Sequence, residues 1–236
     1  MTNFSLKLFA LITMFIDHIG SVVFPNHFWL RYIGRFSFPI YAFFISQGLK
    51  NTSNIKNYLR NLFLLAIISE PLYDLCFHNS INLFYQTNTV YTLFISSLSI
   101  YFFTNSINYI TKYIILFLGI FFAYILKTDY DAFGVILIYM FYFINEKKLY
   151  VIYGIIWVTL KNLNNISTIL YYKLNNNLYL STTYISHSLD LYIFTILPFF
   201  IILFYNGKKG KNIKYIFYIL YPLHLFVLSI IKIFLL

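Results

Sequence analysis

Charged residues are scarce in this chain of 236 residues, where Asp, Glu, Lys and Arg make up only 10%. A soluble domain carries about 25% charged residues, so this chain lacks the charge to cover a water-facing surface. The single cysteine, Cys76, excludes an internal disulfide. The HExxH, CxxC and DxDxDG spacings of metal sites are missing, as are the glycine-rich loops that hold nucleotides. We therefore expect neither a soluble enzyme domain nor a bound metal.

Apolar residues dominate what is present, since 60% of the chain is hydrophobic and 23% is aromatic. The aromatic content excludes a disordered chain, and the apolar sequence suffices for about eight to ten bilayer crossings of about 20 residues each. We predict a single all-α integral-membrane domain over residues 1–236, a polytopic transmembrane helical bundle with about nine membrane helices. The predicted apolar runs are 4–24, 28–48, 59–77, 89–106, 113–126, 132–145, 149–171, 190–206 and 213–236.

Basic residues predict how this bundle is oriented. There are 17 Lys and Arg against 7 Asp and Glu, and much of the excess lies between apolar runs, where positive charge marks the cytoplasmic side. A cytoplasmic N-terminus would place inside Lys7, Lys50, Lys56, Arg60, Lys112, Lys147, Lys148, Lys208, Lys209, Lys211 and Lys214. The smaller outer set is Arg31, Lys127, Lys161, Lys173 and Lys232, with Arg35 inside the membrane. We expect a multi-pass protein of the plasma or inner membrane with no nucleic-acid partner.

Two further segments complete the predicted topology. The first apolar run is too long for the core of a secretion signal and no small-x-small cleavage site follows it, so we expect a retained helix. The segment 161–188 is polar and rich in asparagine, which predicts an outer loop with a short helical stretch.

Ionisable residues near a bilayer centre cost on the order of 2.5–3.5 kcal/mol each, so those within apolar runs require a reason. Lys7 and His18 are eleven residues apart, which on a helix brings them within about 20° of one face and about 16 Å along the axis. That face offers a cation near the cytoplasm and an imidazole deeper in. Asp17 lies about 100° further round. Two interpretations stay open: a proton-transfer site, or the hydrated end of a short first helix.

Arg31 and Arg35 are i, i+4 neighbours that share a helix face and require anions. Glu70 and Asp74, with the same spacing on a later helix, offer two carboxylates. These pairs predict either structural contacts between the two helices or a site for a ligand. Pro39 predicts a kink beside Arg35.

Two later motifs also allow a structural or a functional interpretation. Asp129 lies in a short acidic hairpin between apolar runs, which is typical of a solvated turn. His224 follows Pro222 closely and predicts an imidazole that either bonds a freed backbone carbonyl or takes part in function.

Together these motifs resemble the TraX family of multi-pass membrane proteins, which are associated with N-terminal acetylation of conjugative pilin. The opening block with Lys7, Asp17 and His18 is the specific part of the resemblance. The later stretches, in the same order as in the family, are Gly34-Arg35-Phe-Ser-Phe-Pro39, Ile68-Ser69-Glu70-Pro71 with Asp74, Asn88-Thr-Val-Tyr-Thr92-Leu93, Asp129-Tyr-Asp-Ala-Phe-Gly134-Val and Tyr221-Pro222-Leu-His224-Leu. The chain departs from the usual pattern at Glu70, where glutamine is commoner, and at Asp131, where glycine is commoner.

The spacing of Lys7 and His18 is also similar to the Arg/Lys-x10-His motif of the large membrane acyltransferase family, in which the histidine is held to be essential. These resemblances imply an acetyltransferase that takes acetyl-CoA as donor and a pilin-like or other membrane or surface acceptor. The predicted catalytic residues are His18, Asp17, Arg35 and Glu70, and the predicted donor-binding residues are Lys7, Arg31 and Arg35. Structural or acceptor-side candidates are Asp74, Asn88, Asp129 and His224.

Two alternative functions stay open. The first is O-acylation of a surface glycan, which no feature of the sequence separates from N-acetylation. The second is a non-catalytic pilus-assembly or transport protein, which predicts inverted repeats and charges in both halves of the chain. Polar and ionisable residues within apolar runs instead crowd the first 80 residues, which disfavours transport.

Overall fold

The computed structural model describes residues 1–82, 85–174, 178–211 and 214–235. In these residues eleven α-helices form, together with one isolated β-bridge between Thr87 and Thr128. The predicted all-α class is confirmed. The helices are α1 (Asn3–Val22), α2 (Phe28–Gly34), α3 (Ser37–Asn51), α4 (Ile55–His78), α5 (Thr89–Asn105), α6 (Tyr109–Ile125), α7 (Asp131–Phe143), α8 (Lys147–Lys161), α9 (Leu163–Leu174), α10 (Leu178–Leu203) and α11 (Lys214–Leu235).

The first helix, α1, begins with a capping box. The Ser5 backbone N–H donates to Thr2 Oγ1 at 3.2 Å, and the Thr2 backbone N–H donates to Ser5 Oγ at 2.9 Å. These reciprocal bonds satisfy amide groups that the start of a helix leaves without partners. The helix continues for four residues beyond His18, so Asp17 and His18 lie on regular helix and their directions are fixed by it.

The predicted second membrane helix is broken in two. α2 ends at Gly34 and α3 begins at Ser37, whose hydroxyl donates to the Gly34 carbonyl at 2.9 Å. Pro39 falls in the first turn of α3, where its missing N–H removes no helical hydrogen bond. The predicted kink at Pro39 is therefore wrong. The chain breaks earlier, at Arg35, and the break turns this side chain back toward α1.

The polar segment 161–188 is not the outer loop that its asparagines predict. α9 and the first part of α10 occupy it, while Asn175, Asn176 and Asn177 lie outside the described residues. Asparagine lowers helix stability by no more than about 0.7 kcal/mol per residue relative to alanine. The many apolar residues between the asparagines therefore outweigh a weak propensity.

Several lysines meet at one end of the bundle, which we call the lysine-rich end. Contacts there join the starts of α1 and α8 to the ends of α3, α7 and α10. They are Asn3 N–H to the Lys208 carbonyl (2.8 Å), Lys50 Nζ to Asn145 Oδ1 (3.2 Å) and Lys147 Nζ to the Tyr205 carbonyl (2.6 Å). The sequence predicts these lysines to lie on one side, and the fold places them together.

Only some helices meet a length criterion for crossing a bilayer. In the described residues, Asn3–Val22 and Ile216–Phe234 are long and apolar enough by length and composition. Shorter apolar helices are Tyr109–Ile125, Asp131–Phe143 and His187–Leu203. The count of about nine membrane helices therefore stays a prediction.

Candidate functional site

A cavity of about 370 Å³ lies between α1, α3, α4, α5 and α11. Lys7, with Asn51 and Thr52 from the end of α3, lines it at the lysine-rich end. His18 and Asp129 line it about 16 Å further along α1, the distance that eleven helical residues span. Lys7 and His18 thus face the same cavity, as their spacing predicts.

Aromatic rings surround the ammonium group at the first of these positions. Lys7 Nζ lies 4.9 Å from the centre of the Phe44 ring and 6.0 Å from that of Phe217. Such contacts hold a cation at an apolar wall. The Lys7 ammonium group therefore lies at this end of the cavity.

His18 is hydrogen-bonded to His224 from α11. His18 Nδ1 lies 2.7 Å from His224 Nε2, and the two ring planes lie within 25° of parallel with centres 4.9 Å apart. His224 Nδ1 lies 3.0 Å from the Leu220 carbonyl, one helical turn earlier. His224 thus contacts a backbone carbonyl, but not the Tyr218 carbonyl that Pro222 frees, and it also contacts His18.

Asp17 binds both arginines of the broken helix. Its Oδ1 lies 3.1 Å from Arg31 Nη1 and 3.9 Å from Arg35 Nη2, and Arg31 Nη1 also donates to the Asp17 carbonyl at 3.0 Å. Gly34 makes room for this contact, since a Cβ atom there would overlap with the Asp17 carboxylate. The predicted pairing of these arginines with Glu70 and Asp74 is wrong.

The two acidic residues of α4 instead hold the chain that leads into α5. Glu70 Oε2 accepts from the Asn88 backbone N–H at 3.0 Å and from its side-chain amide at 2.6 Å. Asn88, fully buried, caps α5 by accepting from the Val90 N–H at 2.9 Å. Asp74 Oδ2 accepts from the Asn82 N–H at 3.0 Å. Glu70, Asp74 and Asn88 do not line the cavity, so this geometry favours structural roles for all three.

We expect Glu70→Gln to keep its fold and Glu70→Ala to lose stability. A glutamine oxygen accepts the same two bonds, which also fits the family's preference for glutamine. Alanine instead leaves the buried Asn88 backbone N–H without its acceptor at a cost of about 1–3 kcal/mol, while the Asn88 side-chain amide keeps its bond to the Ala66 carbonyl at 2.9 Å. Thermal unfolding in detergent measures the difference. Equal stability of the two variants would contradict this role.

The acidic turn after α6 is packed into the bundle. Thr128, fully buried, pairs with Thr87 in the β-bridge, and Asp129 Oδ2 accepts from the Thr89 hydroxyl at 2.5 Å. The prediction of a solvated turn is therefore wrong for Thr128 and for the half-buried Asp129, which the bridge draws inward, while Lys127 and Asp131 are exposed. Asp131 has φ +45°, a left-handed conformation that favours glycine and so fits the family's usual residue there.

One cavity residue that the sequence did not single out is Tyr130. Its ring stacks on Phe38 with centres 3.4 Å apart, and Lys161 Nζ lies 4.3 Å from the centre of the Tyr130 ring. With 24 tyrosines in the chain, residue type carries no signal. Its position next to Asp129 was the available clue.

A smaller cavity of about 270 Å³ lies on the other side of the arginines. Arg31, Arg35 and His187 line it, and the Tyr32 hydroxyl lies 2.6 Å from His187 Nδ1. Neither arginine lines the larger cavity that holds Lys7. The predicted donor-binding residues therefore fall into two groups.

These features define a class: an all-helical protein whose apolar bundle encloses a cavity with an ammonium at one end and a paired imidazole at the other. The match to the TraX protein family covers residues 3–232, nearly the whole chain. This protein belongs to the TraX family.

Curated relatives match shorter stretches. The probable fimbrial assembly protein FimC, serogroup H1, of Dichelobacter nodosus is 32% identical over 75 residues, 30% of this chain and 31% of that protein. Protein RP591 of Rickettsia prowazekii (strain Madrid E) is 29% identical over 108 residues, 45% of this chain and 40% of that protein. The chain thus spans less than half the length of either relative. No solved structure matches it significantly.

Proposed function

We propose that this protein is an integral membrane acyltransferase that transfers an acetyl group from acetyl-CoA to the N-terminus of a pilin or another surface protein. The TraX family is associated with pilin acetylation, and one relative is named for fimbrial assembly. The proposal rests on one observation, which is that Lys7 and His18 line the same cavity. A cation and a base at that separation suit a long donor with phosphates at one end and a thioester at the other.

Exposed apolar surface supports a multi-pass location in the inner membrane. In α6 the buried residues are Gly119 and Ala123, while large side chains such as Phe117 (63% exposed) and Tyr113 (69% exposed) face outward. Apolar patches of this kind mark membrane or protein contacts. With the lysine-rich end in the cytoplasm, the positive-inside rule is satisfied and the N-terminus is cytoplasmic.

Acetyl-CoA enters from the lysine-rich end in this proposal. Lys7 attracts the donor phosphates, and exposed Asn51 lies at the same end of the cavity. The pantetheine arm then lies along α1, and its thioester reaches His18. Arg31 faces the second cavity and so contributes on the acceptor side rather than to the phosphates.

At the thioester, His18 acts as a general base. Its unprotonated nitrogen takes a proton from the acceptor amine as the amine nitrogen bonds the acetyl carbon, and the carbon–sulfur bond breaks as the proton passes to the CoA thiolate. Tyr130, which lines the same cavity, donates its O–H to the oxyanion that forms on the acetyl carbonyl. The products are an N-acetylated acceptor and CoA with a free thiol.

A carboxylate favours an amine over a sugar hydroxyl as the acceptor. Asp129 lines the same cavity as His18 and attracts an incoming ammonium group, which gives one proton to water before the neutral amine reacts, whereas Asp17 is already paired with two arginines. A neutral hydroxyl gains no such attraction. The test is the intact mass of candidate pilins and surface polymers from cells with and without this protein. We expect one acetyl unit at a pilin N-terminus, and a gain confined to a glycan would overturn the choice of acceptor.

Lys7→Ala should mainly raise the KM for acetyl-CoA, because it removes charge from the donor end and leaves His18 untouched. One lost phosphate contact of this kind changes affinity by about 10-fold. Initial rates over a range of acetyl-CoA concentrations measure it, with Lys7→Arg as the charge-retaining variant. Exposed Lys208→Ala, at the same end, is the control. An unchanged KM in Lys7→Ala would remove the phosphate role.

A further inference from the structure

The hydrogen bonds of the two histidines fix which nitrogens carry protons. A backbone carbonyl only accepts, so His224 Nδ1, 3.0 Å from the Leu220 oxygen, must be the protonated nitrogen of its ring. In a neutral imidazole the other nitrogen, Nε2, is then an acceptor. His18 Nδ1, 2.7 Å away, must donate to it. This leaves Nε2 of His18 unprotonated.

We propose that His224 is a positioning residue that holds His18 in the tautomer with a bare Nε2 and so prepares it as the base. The inference rests on the proposed acetyl transfer, which it deepens. His224 does not touch the substrate in this arrangement. It acts through His18, as the carboxylate of a catalytic triad acts through its histidine.

Neighbouring aromatic rings hold the His18 and His224 rings in this arrangement. The two histidine ring planes lie within 25° of parallel, Phe15 lies against His224 with centres 4.7 Å apart, and Phe77 meets His18 edge-on at 5.1 Å. When His18 gains a proton at Nε2, its Nδ1–H still donates to the neutral His224, so the bond persists through the reaction. A neutral partner in place of a carboxylate avoids a second buried negative charge beside Asp17.

Two substitutions of His224 separate positioning from packing. Glutamine places an oxygen where Nε2 was and keeps the acceptor but loses the ring. Phenylalanine keeps the ring and loses the acceptor. We expect His224→Phe to lower kcat by about 100-fold or more with unchanged KM for acetyl-CoA, and His224→Gln to stay within about 10-fold of the unsubstituted protein. If His224 only filled space, His224→Phe would keep a higher kcat than His224→Gln. That result would overturn the inference.

A second readout needs no acetyl transfer. In the full-length protein in detergent, labelled with ¹⁵N-histidine, the ring nitrogens of His18 report which one is protonated, and His18→Ala identifies its signals. We expect protonation at Nδ1 in the unsubstituted protein and in His224→Gln, and a mixture of tautomers in His224→Phe. A proton on Nε2 of His18 in the unsubstituted protein would overturn the inference even if acetyl transfer is found. If the unsubstituted protein transfers no acetyl group, the proposed function fails while the tautomer is still measured.

Discussion

Replacing His18 by alanine should lower acetyl transfer by about 10³-fold or more while leaving the amount of protein in the membrane unchanged. The substitution removes the base that faces the acetyl carbon, and with it one half-buried ring whose ring contacts are to Phe77 and His224. The measurement is the fraction of acceptor that gains one acetyl unit, by intact mass, at equal membrane levels.

The matched control is His27→Ala, since His27 is exposed where α2 begins and lies outside the cavity. We expect His27→Ala to retain full transfer. Retained transfer in His18→Ala would remove His18 from the mechanism, and loss in both variants would point to a general effect on folding.

Loss of acetyl transfer in His18→Ala is expected both for direct transfer and for a covalent acetyl-histidine intermediate. They differ in what a single turnover without acceptor leaves behind. Direct transfer leaves the enzyme unmodified, whereas the covalent route adds one acetyl unit to the peptide that contains His18. Peptide mass spectrometry after rapid acid quenching decides between them.

Local spacing explains which parts of the site the sequence could predict. Lys7 and His18 belong to one helix, so the 3.6-residue period alone places them on one face. The same period placed Arg31 and Arg35 together. The period could not identify the acidic partner of these arginines. Glu70 and Asp74 have the same four-residue spacing as the arginines, but the break after Gly34 brings the arginines to Asp17 instead.

The sequence could not predict the long-range contacts of the site. His18 and His224 are 206 residues apart, and nothing local to either one indicates the other. The inward packing of Asp129 depends on a backbone bridge from Thr87, which also has no local signal. The fold class could be predicted without these contacts, because continuous apolar runs predict helices whichever way the helices pack.

Removing the Asp17 carboxylate should destabilise the protein by about 3 kcal/mol, because two guanidinium groups would then lie in a largely apolar setting without their anion. The Asp17 side chain is 15% exposed, so little water is available to replace it. Asp17→Ala should therefore lower the unfolding temperature in detergent and the level of protein in membranes. Exposed Asp190→Ala, a matched loss of one carboxylate, should change neither.

A double-mutant cycle tests whether the ion pair causes this loss. Arg31→Ala in the Asp17→Ala background removes one of the two unpaired cations, so the double variant should be more stable than the sum of the single losses by about 0.5–3 kcal/mol. Additive losses would show that Asp17 and Arg31 do not stabilise each other. Because Arg35 Nε also donates to the Arg31 backbone carbonyl at 3.2 Å, part of the stability should persist in every variant that keeps Arg35. Acetyl transfer measured in the same series then separates the two roles, since an ion pair that only stabilises the fold would leave kcat of the surviving protein unchanged.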